Sequence, residues 1–132
     1  MKPRILLAED NKDAAEIITF VLQFLGYEIV VARDGVEAVE SAMSLRPDLI
    51  IMDMMMPRMD GFEAVSELRR HPETKTIPIL AATAMAGSED RKKCLAVGCD
   101  EHLPKPLSPK TLGPVIQRLL RVPANNELTR ES

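Results

Sequence analysis

The sequence contains few of the residues that mark nucleic-acid-binding or membrane proteins. Aromatic residues make up 3% of the 132 residues and tryptophan is absent, which is too few for a surface on which bases could stack. The formal net charge is −3 and the basic residues form no stripe, so we expect no nucleic-acid partner. No run approaches the ~20 apolar residues that span a bilayer, and the apolar run after the charged N-terminus is too short for a signal peptide. These absences predict a cytoplasmic protein with no membrane partner.

Cysteine is also scarce, and its spacing excludes two common kinds of site. Cys94 and Cys99 lie five residues apart, which fits neither a CxxC redox pair nor a set of zinc ligands. We therefore predict two reduced thiols. The chain length and the 45% hydrophobic content fit one domain with one buried core. We place this domain at residues 1–122, expect Pro123 to end the last helix, and predict a disordered polar tail over residues 123–132.

Short apolar segments alternate along the chain with segments of helical periodicity. The first predicted strand, 5–8, precedes apolar residues spaced at three and four from Ala14 to Leu25, which predict a helix with Asn11 as its N-cap and Gly26 at its end. The other predicted strands are 28–32, 49–52, 77–82 and 101–103, and the other helices begin near Val36, Phe62, Ser88 and Leu112. This alternation predicts an α/β fold with a parallel sheet. The strands are continuously apolar, which indicates that helices cover both faces of the sheet.

Polar residues of a particular kind follow the predicted strands. Glu9 and Asp10 come directly after the first strand, and Asp53 ends the third. Thr83 ends the fourth strand, and Lys105 follows the fifth. The carboxyl ends of parallel strands share one edge of the sheet, where such folds bind their ligands. We therefore expect three carboxylates, a hydroxyl and an ammonium group to meet in one cleft.

The chemistry of this set points to phosphoryl transfer. Clustered carboxylates need a cation or a raised pKa at neutral pH, and hard oxygen ligands without His or Cys suit magnesium. A carboxylate can attack phosphorus to give an aspartyl phosphate. Phosphoryl transfer mainly requires positive charge and hydrogen bonds on the phosphoryl oxygens, which Lys105 and Thr83 can supply.

Several short motifs follow one another in order along the chain. They are residues 5–11, 47–57, 59–61, 78–84, 98–100 and 103–106. Together they resemble the receiver domain of two-component response regulators, in its stand-alone, chemotaxis-response-regulator-like form, over about residues 4 to 121. The resemblance implies a flavodoxin-like, doubly wound, five-stranded parallel sheet of order 2-1-3-4-5 with five helices.

The resemblance also implies a chemical role for the cleft. Asp53 would accept a phosphoryl group from a phosphohistidine on a sensor histidine kinase or a histidine phosphotransfer protein. Asp10, Asp53 and the backbone carbonyl of Met55 would hold Mg²⁺ (or Mn²⁺), with Glu9 acting mostly through water. Such a domain is a phosphoacceptor that promotes its own phosphorylation and slow dephosphorylation, and is not an enzyme in the usual sense.

Three further residues have implied roles at the phosphoryl group. Thr83, Ala84 and Lys105 would contact its oxygens, and the peptide bond between Lys105 and Pro106 would be cis. Thr83 would move toward the phosphoryl group, and a side chain on the fifth strand would follow it. The switch surface would then consist of the fourth helix, the fifth strand and the fifth helix, and would signal to a downstream effector protein. The sequence leaves open whether phosphorylation also pairs two copies of the chain.

The fifth-strand switch position departs from the family pattern. This position is often Tyr or Phe, and here it is His102. We interpret His102 as a half-exposed strand residue that rotates much as an aromatic side chain would. The alternative is a pH-sensitive or partner-contacting switch, since histidine titrates near neutrality. Arg69 and Arg70 are interpreted as a solvated helix end.

Three other functions are weighed against the receiver. A metal-dependent phosphatase with an aspartyl nucleophile usually carries a second Asp two residues later, and here that residue is Met55. A flavodoxin-like cofactor carrier would need a phosphate-binding loop after the first strand, where Glu9 and Asp10 would instead repel a phosphate. A degenerate receiver that only binds partners, as an unphosphorylated scaffold, would need none of the five polar residues in the cleft.

Overall fold

A computed structural model describes residues 2–84 and 87–131, with side chains described as far as Arg121. Strands and helices alternate strictly. The strands are β1 (Arg4–Ala8), β2 (Glu28–Ala32), β3 (Leu49–Asp53), β4 (Ile79–Thr83) and β5 (Glu101–Pro104). The helices are α1 (Lys12–Phe24), α2 (Gly35–Leu45), α3 (Gly61–Arg70), α4 (Ser88–Val97) and α5 (Pro109–Glu131). No helix in the described part of the chain is both long and apolar enough to cross a membrane.

The five strands form one parallel sheet of order β2-β1-β3-β4-β5, so the predicted fold class and strand order are confirmed. β4 begins two residues later than predicted. Pro78 has no N–H to give to a sheet ladder, although its carbonyl accepts a hydrogen bond of 3.0 Å from the amide of Ile50. α5 extends past Pro123, where the sequence predicts its end. The predicted disordered tail, 123–132, falls on residues whose side chains lie outside the described residues, and it stays a prediction.

Two apolar layers cover the two faces of the sheet. α2, α3 and α4 pack on one face, and α1 and α5 pack on the other. All five residues of the central strand β3 are buried, because strands and helices enclose it on every side. Cys94 and Cys99 are both buried free thiols. Burial raises the pKa of Cys99 to about 12, which keeps this thiol protonated and unreactive.

Three helices begin at the edge of the sheet where the strands end, and each has a capping side chain. Asn11, Asp34 and Asp60 accept hydrogen bonds from the backbone amides three residues later, at 2.9, 2.8 and 2.9 Å. The predicted N-cap at Asn11 is thereby confirmed. Such caps satisfy amides that have no partner inside the helix, and they fix the loops that carry the polar cleft.

The interpretation of Arg69 as a solvated residue at a helix end is wrong. Its guanidinium group donates hydrogen bonds to the carbonyls of Gly98 (2.9 Å) and Ile77 (2.8 Å) and to a carboxylate oxygen of Asp100 (2.9 Å). Arg69 therefore ties the loops before β4 and β5 to α3, at the edge of the sheet opposite the cleft. Its neighbour Arg70 is exposed, as expected of a helix end.

Candidate functional site

The structure brings the predicted cleft residues together. Glu9, Asp10 and Asp53 each place one carboxylate oxygen within 4.8 Å of the others. The Nζ atom of Lys105 lies 2.7 Å from Oε1 of Glu9 and 3.1 Å from Oδ2 of Asp53. Four side chains from three separate parts of the sequence thus form one charged cluster.

The sheet explains this convergence. In the register between β1 and β3, Ala8 is opposite Met52, so the next residues, Glu9 and Asp53, lie side by side at the same edge of the sheet. The loop after β5 is joined to the end of β4 by a 2.9 Å hydrogen bond from the amide of Lys105 to the carbonyl of Thr83. The peptide bond after Lys105 is cis, as predicted. The loop therefore directs the lysine side chain across β4 to the end of β3.

The two buried carboxylates of the cluster have further hydrogen-bond partners. The second oxygen of Glu9, Oε2, accepts from the amide of Asn11 at 3.1 Å. The second oxygen of Asp53, Oδ1, accepts from the amide of Met55 at 3.0 Å. The Met55 backbone therefore lies beside the Asp53 carboxylate, where the predicted carbonyl ligand would be needed, while the Met55 side chain is exposed. Asp10 differs from both acids in being exposed.

Burial and charge shift the protonation of the cluster. Burial raises the pKa of Asp53, and the charge of Glu9 adds to this rise, while the Met55 amide and Lys105 oppose it. Burial alone would lower the pKa of Lys105, but its contacts with Glu9 and Asp53 outweigh this effect and raise the pKa above its ordinary 10.5. Lys105 is therefore positively charged at neutral pH, and ionised Asp53 costs the folded chain stability.

We expect Asp53→Asn to raise the free energy of unfolding at pH 7 by on the order of 1 kcal/mol, because it removes a buried charge. Since the folded-state pKa of Asp53 is raised, the folded chain binds this proton more tightly than the unfolded chain. The advantage of the variant should therefore shrink as pH falls through the folded-state pKa toward the ordinary value of 3.8. Urea unfolding between pH 7.5 and 4.5, without magnesium, measures the difference. Asp13→Asn removes an exposed carboxylate from α1 and should give no such gain; a destabilised Asp53→Asn at pH 7 would contradict the argument.

The residues of the predicted switch lie on β4, on β5 and directly after β4. Thr83 is fully buried at the end of β4, and Ala84 directly after it is exposed. His102 is buried, so the expectation of a half-exposed histidine is wrong. Although β5 is the last strand of the sheet, α4 packs beside it, which explains the burial of His102.

Ion pairs connect the elements of the predicted switch surface. Glu101 on β5 accepts from Arg91 of α4 at 3.0 Å and from Arg118 of α5 at 2.6 Å. Each oxygen of the Glu101 carboxylate contacts one of the two arginines. One carboxylate on the edge strand therefore joins the helices on either side of it.

Comparison with known proteins identifies the family. Residues 5–117 match the model of the response regulator receiver domain. This chain belongs to that family. It is 40% identical over 121 residues to the response regulator MprA of Mycobacterium ulcerans, covering 92% of this receiver and 51% of that protein. The receiver thus spans about half the length of the curated relatives it matches.

Solved receiver structures agree with the fold. The chemotaxis response regulator CheY4 of Vibrio cholerae is 36% identical, with a TM-score of 0.84, over 90% of this chain and 99% of that one. The receiver domain of the sensor histidine kinase PA1611 of Pseudomonas aeruginosa is 38% identical, with a TM-score of 0.85, over 91% and 98%. That protein has a magnesium ion coordinated in its active site cleft.

The residues of this receiver fit such an ion. Three carboxylates meet within 4.8 Å, while a single ammonium group contacts two of them. The set therefore carries an excess of negative charge, and its ligand atoms are all hard oxygens, which magnesium prefers over nitrogen and sulfur.

Proposed function

We propose that this receiver accepts a phosphoryl group on Asp53 from a phosphohistidine donor, with magnesium, and signals to a partner protein through a conformational switch. The contact of Lys105 with both Glu9 and Asp53 supports this proposal above all. It places a fixed positive charge beside the only carboxylate of the cluster that ends a central strand of the sheet. We propose further that the chain acts as a phosphoacceptor and not as an enzyme on another substrate.

The residues of the cleft have separate tasks in this reaction. A carboxylate oxygen of Asp53 forms a bond to phosphorus while the bond from phosphorus to the donor imidazole nitrogen breaks, and the imidazole leaves with the electron pair. Lys105 donates to a phosphoryl oxygen, and Thr83, which ends the neighbouring strand β4, donates a hydrogen bond from its hydroxyl group. Glu9, Asp10, Asp53 and the Met55 carbonyl would hold magnesium, which when bound supplies positive charge near the phosphoryl oxygens.

Uptake of a phosphoryl group from acetyl phosphate tests this function. With magnesium, we expect the intact mass of the wild type to rise by one phosphoryl group, and expect no rise without magnesium or in Asp53→Asn. The control Asp48→Asn, at the opposite edge of the sheet, should gain the group normally. A gain in Asp53→Asn would contradict the assignment of the acceptor. No gain in the wild type, together with no magnesium binding, would favour the unphosphorylated scaffold.

We propose α1 as the surface that receives the phosphodonor. Ile17, Phe20 and Phe24 are 64%, 71% and 80% exposed, and their spacing places them on one face of the helix. α1 begins at Lys12, two residues after Asp10, so the N-terminal end of this helix lies beside the cleft. Exposed aromatic side chains of this size are typical of protein interfaces.

Phe20→Ala should therefore slow phosphotransfer from a protein donor by about tenfold, which corresponds to loss of an interface contact worth ~1.4 kcal/mol. Uptake from acetyl phosphate should stay the same, because this small donor does not need the α1 face. The rates would be measured with any purified phosphohistidine protein that phosphorylates the wild type. Leu45→Ala removes another exposed apolar side chain, at the end of α2, and should affect neither rate. Equal slowing with both donors would place Phe20 in the chemistry or the folding of the cleft.

The remaining partners follow from the same proposal. A sensor histidine kinase or a histidine phosphotransfer protein would supply the phosphoryl group, and an effector protein would bind the surface formed by α4, β5 and α5. The absence of nucleic acid and membrane partners stays a prediction from composition, and so does a cytoplasmic location. The sequence leaves open whether phosphorylation pairs two copies of the chain.

A further inference from the structure

The loop between β3 and α3, residues 54–60, is bound to α2 as well as to its own strand and helix. We call it the acceptor loop because it follows Asp53. The Arg58 side chain in this loop lies against Asp34, with Nε at 2.9 Å and Nη2 at 2.7 Å from the same carboxylate oxygen, Oδ2. Arg58 adopts a left-handed backbone conformation with φ of 64°, which non-glycine residues rarely adopt. Two features of one residue, an unusual backbone and a fork-shaped ion pair, thus fix the middle of the loop.

Asp34 is well suited to hold this arginine. It is buried, and its other oxygen, Oδ1, caps α2 by accepting from the amide of Glu37 at 2.8 Å. This backbone hydrogen bond and the contact with Arg58 together lower the pKa of Asp34, so the carboxylate is ionised at neutral pH. A carboxylate that is held by a helix N-terminus has little freedom to move, and it offers Arg58 a fixed point of attachment.

Direct backbone packing surrounds the ion pair. A methyl group at Gly35 would lie 2.0 Å from the carbonyl oxygen of Met59, so the first turn of α2 touches the loop immediately after Arg58. At the other end of the loop, the amide of Gly61 donates to the carbonyl of Met54 at 3.1 Å. Met55 lies between these two attachments, and its amide donates to the Asp53 carboxylate. A displacement of the loop would therefore move the Met55 backbone and change the orientation of the Asp53 carboxylate.

We infer that Arg58 and Asp34 are positioning residues for the cation site, which hold the acceptor loop so that Met55 and Asp53 present their oxygens to one divalent ion. This inference rests on the proposed function, since it assigns that ion to the cleft. Neither residue touches the cleft itself. Residues that orient metal ligands in this indirect way typically change metal affinity by about 10–100-fold when they are removed.

Magnesium affinity, measured by isothermal titration calorimetry on the full chain, tests the inference. Arg58→Met keeps much of the apolar stem of the side chain but removes the guanidinium group, and we expect its Kd for magnesium to rise about tenfold. Asp34→Asn keeps an oxygen to cap α2 while removing the charge, and it should give a similar rise. Arg58→Lys should fall between these variants and the wild type, because it keeps the charge without the fork. Arg70→Met is the matched control, since it removes an exposed arginine from the end of α3, and its Kd should not change.

The double variant Arg58→Met with Asp34→Asn should bind magnesium no more weakly than the single variants, since each already breaks the same pair. Amide hydrogen exchange gives a readout that needs no ion. Exchange at residues 55, 56, 58 and 59 should be faster in Arg58→Met than in Arg70→Met. If the Kd of Arg58→Met for magnesium stays within twofold of the wild-type value, whatever its stability, the pair serves folding alone and the inference is overturned.

The exchange measurement separates this inference from the proposed function. If the wild type itself bound no magnesium, the cation requirement of the proposed function would fail. Faster exchange confined to the acceptor loop would then still support positioning of the loop by Arg58, and unchanged exchange would overturn it.

Discussion

Gly61→Ala is expected to lower the free energy of unfolding by about 3 kcal/mol, the upper part of the range for overpacking a filled site. A methyl group at this position would lie 2.5 Å from Cα of Met54 and 2.7 Å from the carbonyl oxygen of Asp53. Both are backbone atoms, so no rotation of a side chain can relieve the contact. α3 would have to move away from the end of β3, which would also disturb the carboxylate of Asp53.

The matched control is another glycine in a helix, Gly113→Ala in α5. There the nearest atom to the added methyl group would be Cδ2 of Leu25, at 4.0 Å, which is an ordinary contact. Because alanine favours a helix over glycine, we expect this variant to gain about 0.5–1 kcal/mol. Urea unfolding of both variants gives the comparison. Equal stability of the two variants would show that α3 can shift away from β3 at little cost.

Lys105→Met is expected to slow the uptake of a phosphoryl group and to strengthen the binding of magnesium. Removing the ammonium group deletes the charge that would contact the phosphoryl oxygens, so the rate of uptake from acetyl phosphate should fall on the order of 100-fold. The same change removes a cation that lies 2.7 Å from Glu9 and 3.1 Å from Asp53. Magnesium would then meet carboxylates without a competing ion, and its affinity should rise by on the order of tenfold.

Phosphoryl uptake by mass spectrometry and magnesium binding by calorimetry measure the two effects on the same samples. Lys110→Met, which removes an exposed lysine from the first turn of α5, should leave both properties at their wild-type values. Weaker magnesium binding in Lys105→Met would mean that the side chain supports the shape of the cleft more than its charge. A normal uptake rate would remove Lys105 from the chemistry.

The sequence predicts the fold and the cleft for one shared reason. Apolar periodicity locates the strands, and a parallel sheet brings the carboxyl ends of its strands to one edge. The residues at those ends and directly after them, including Glu9 and Asp53, must therefore lie close together. This can be predicted without any knowledge of side-chain geometry. The start of α4, which is predicted near Ser88, is also observed there.

What the sequence does not predict depends on contacts between loops that are distant along the chain. Arg69 looks like an exposed helix end, and only the structure shows that backbone carbonyls of two other loops surround it. Arg58 and Asp34 lie 24 residues apart, and neither carries a motif that would indicate the other. His102 is interpreted from the sequence as a half-exposed strand residue, but α4 packs beside β5 and His102 is buried. The pattern of a single segment contains no information on such contacts.

The carboxylate of Glu101 sets part of the charge of the face formed by α4, β5 and α5. Both of its oxygens are occupied, one by Arg91 and one by Arg118. Glu101 therefore neutralises part of the positive charge that Arg91 and Arg118 would present to an acidic group on an incoming protein. A movement of β5 that withdrew Glu101 would increase the attraction of both guanidinium groups for an acidic partner at the same time.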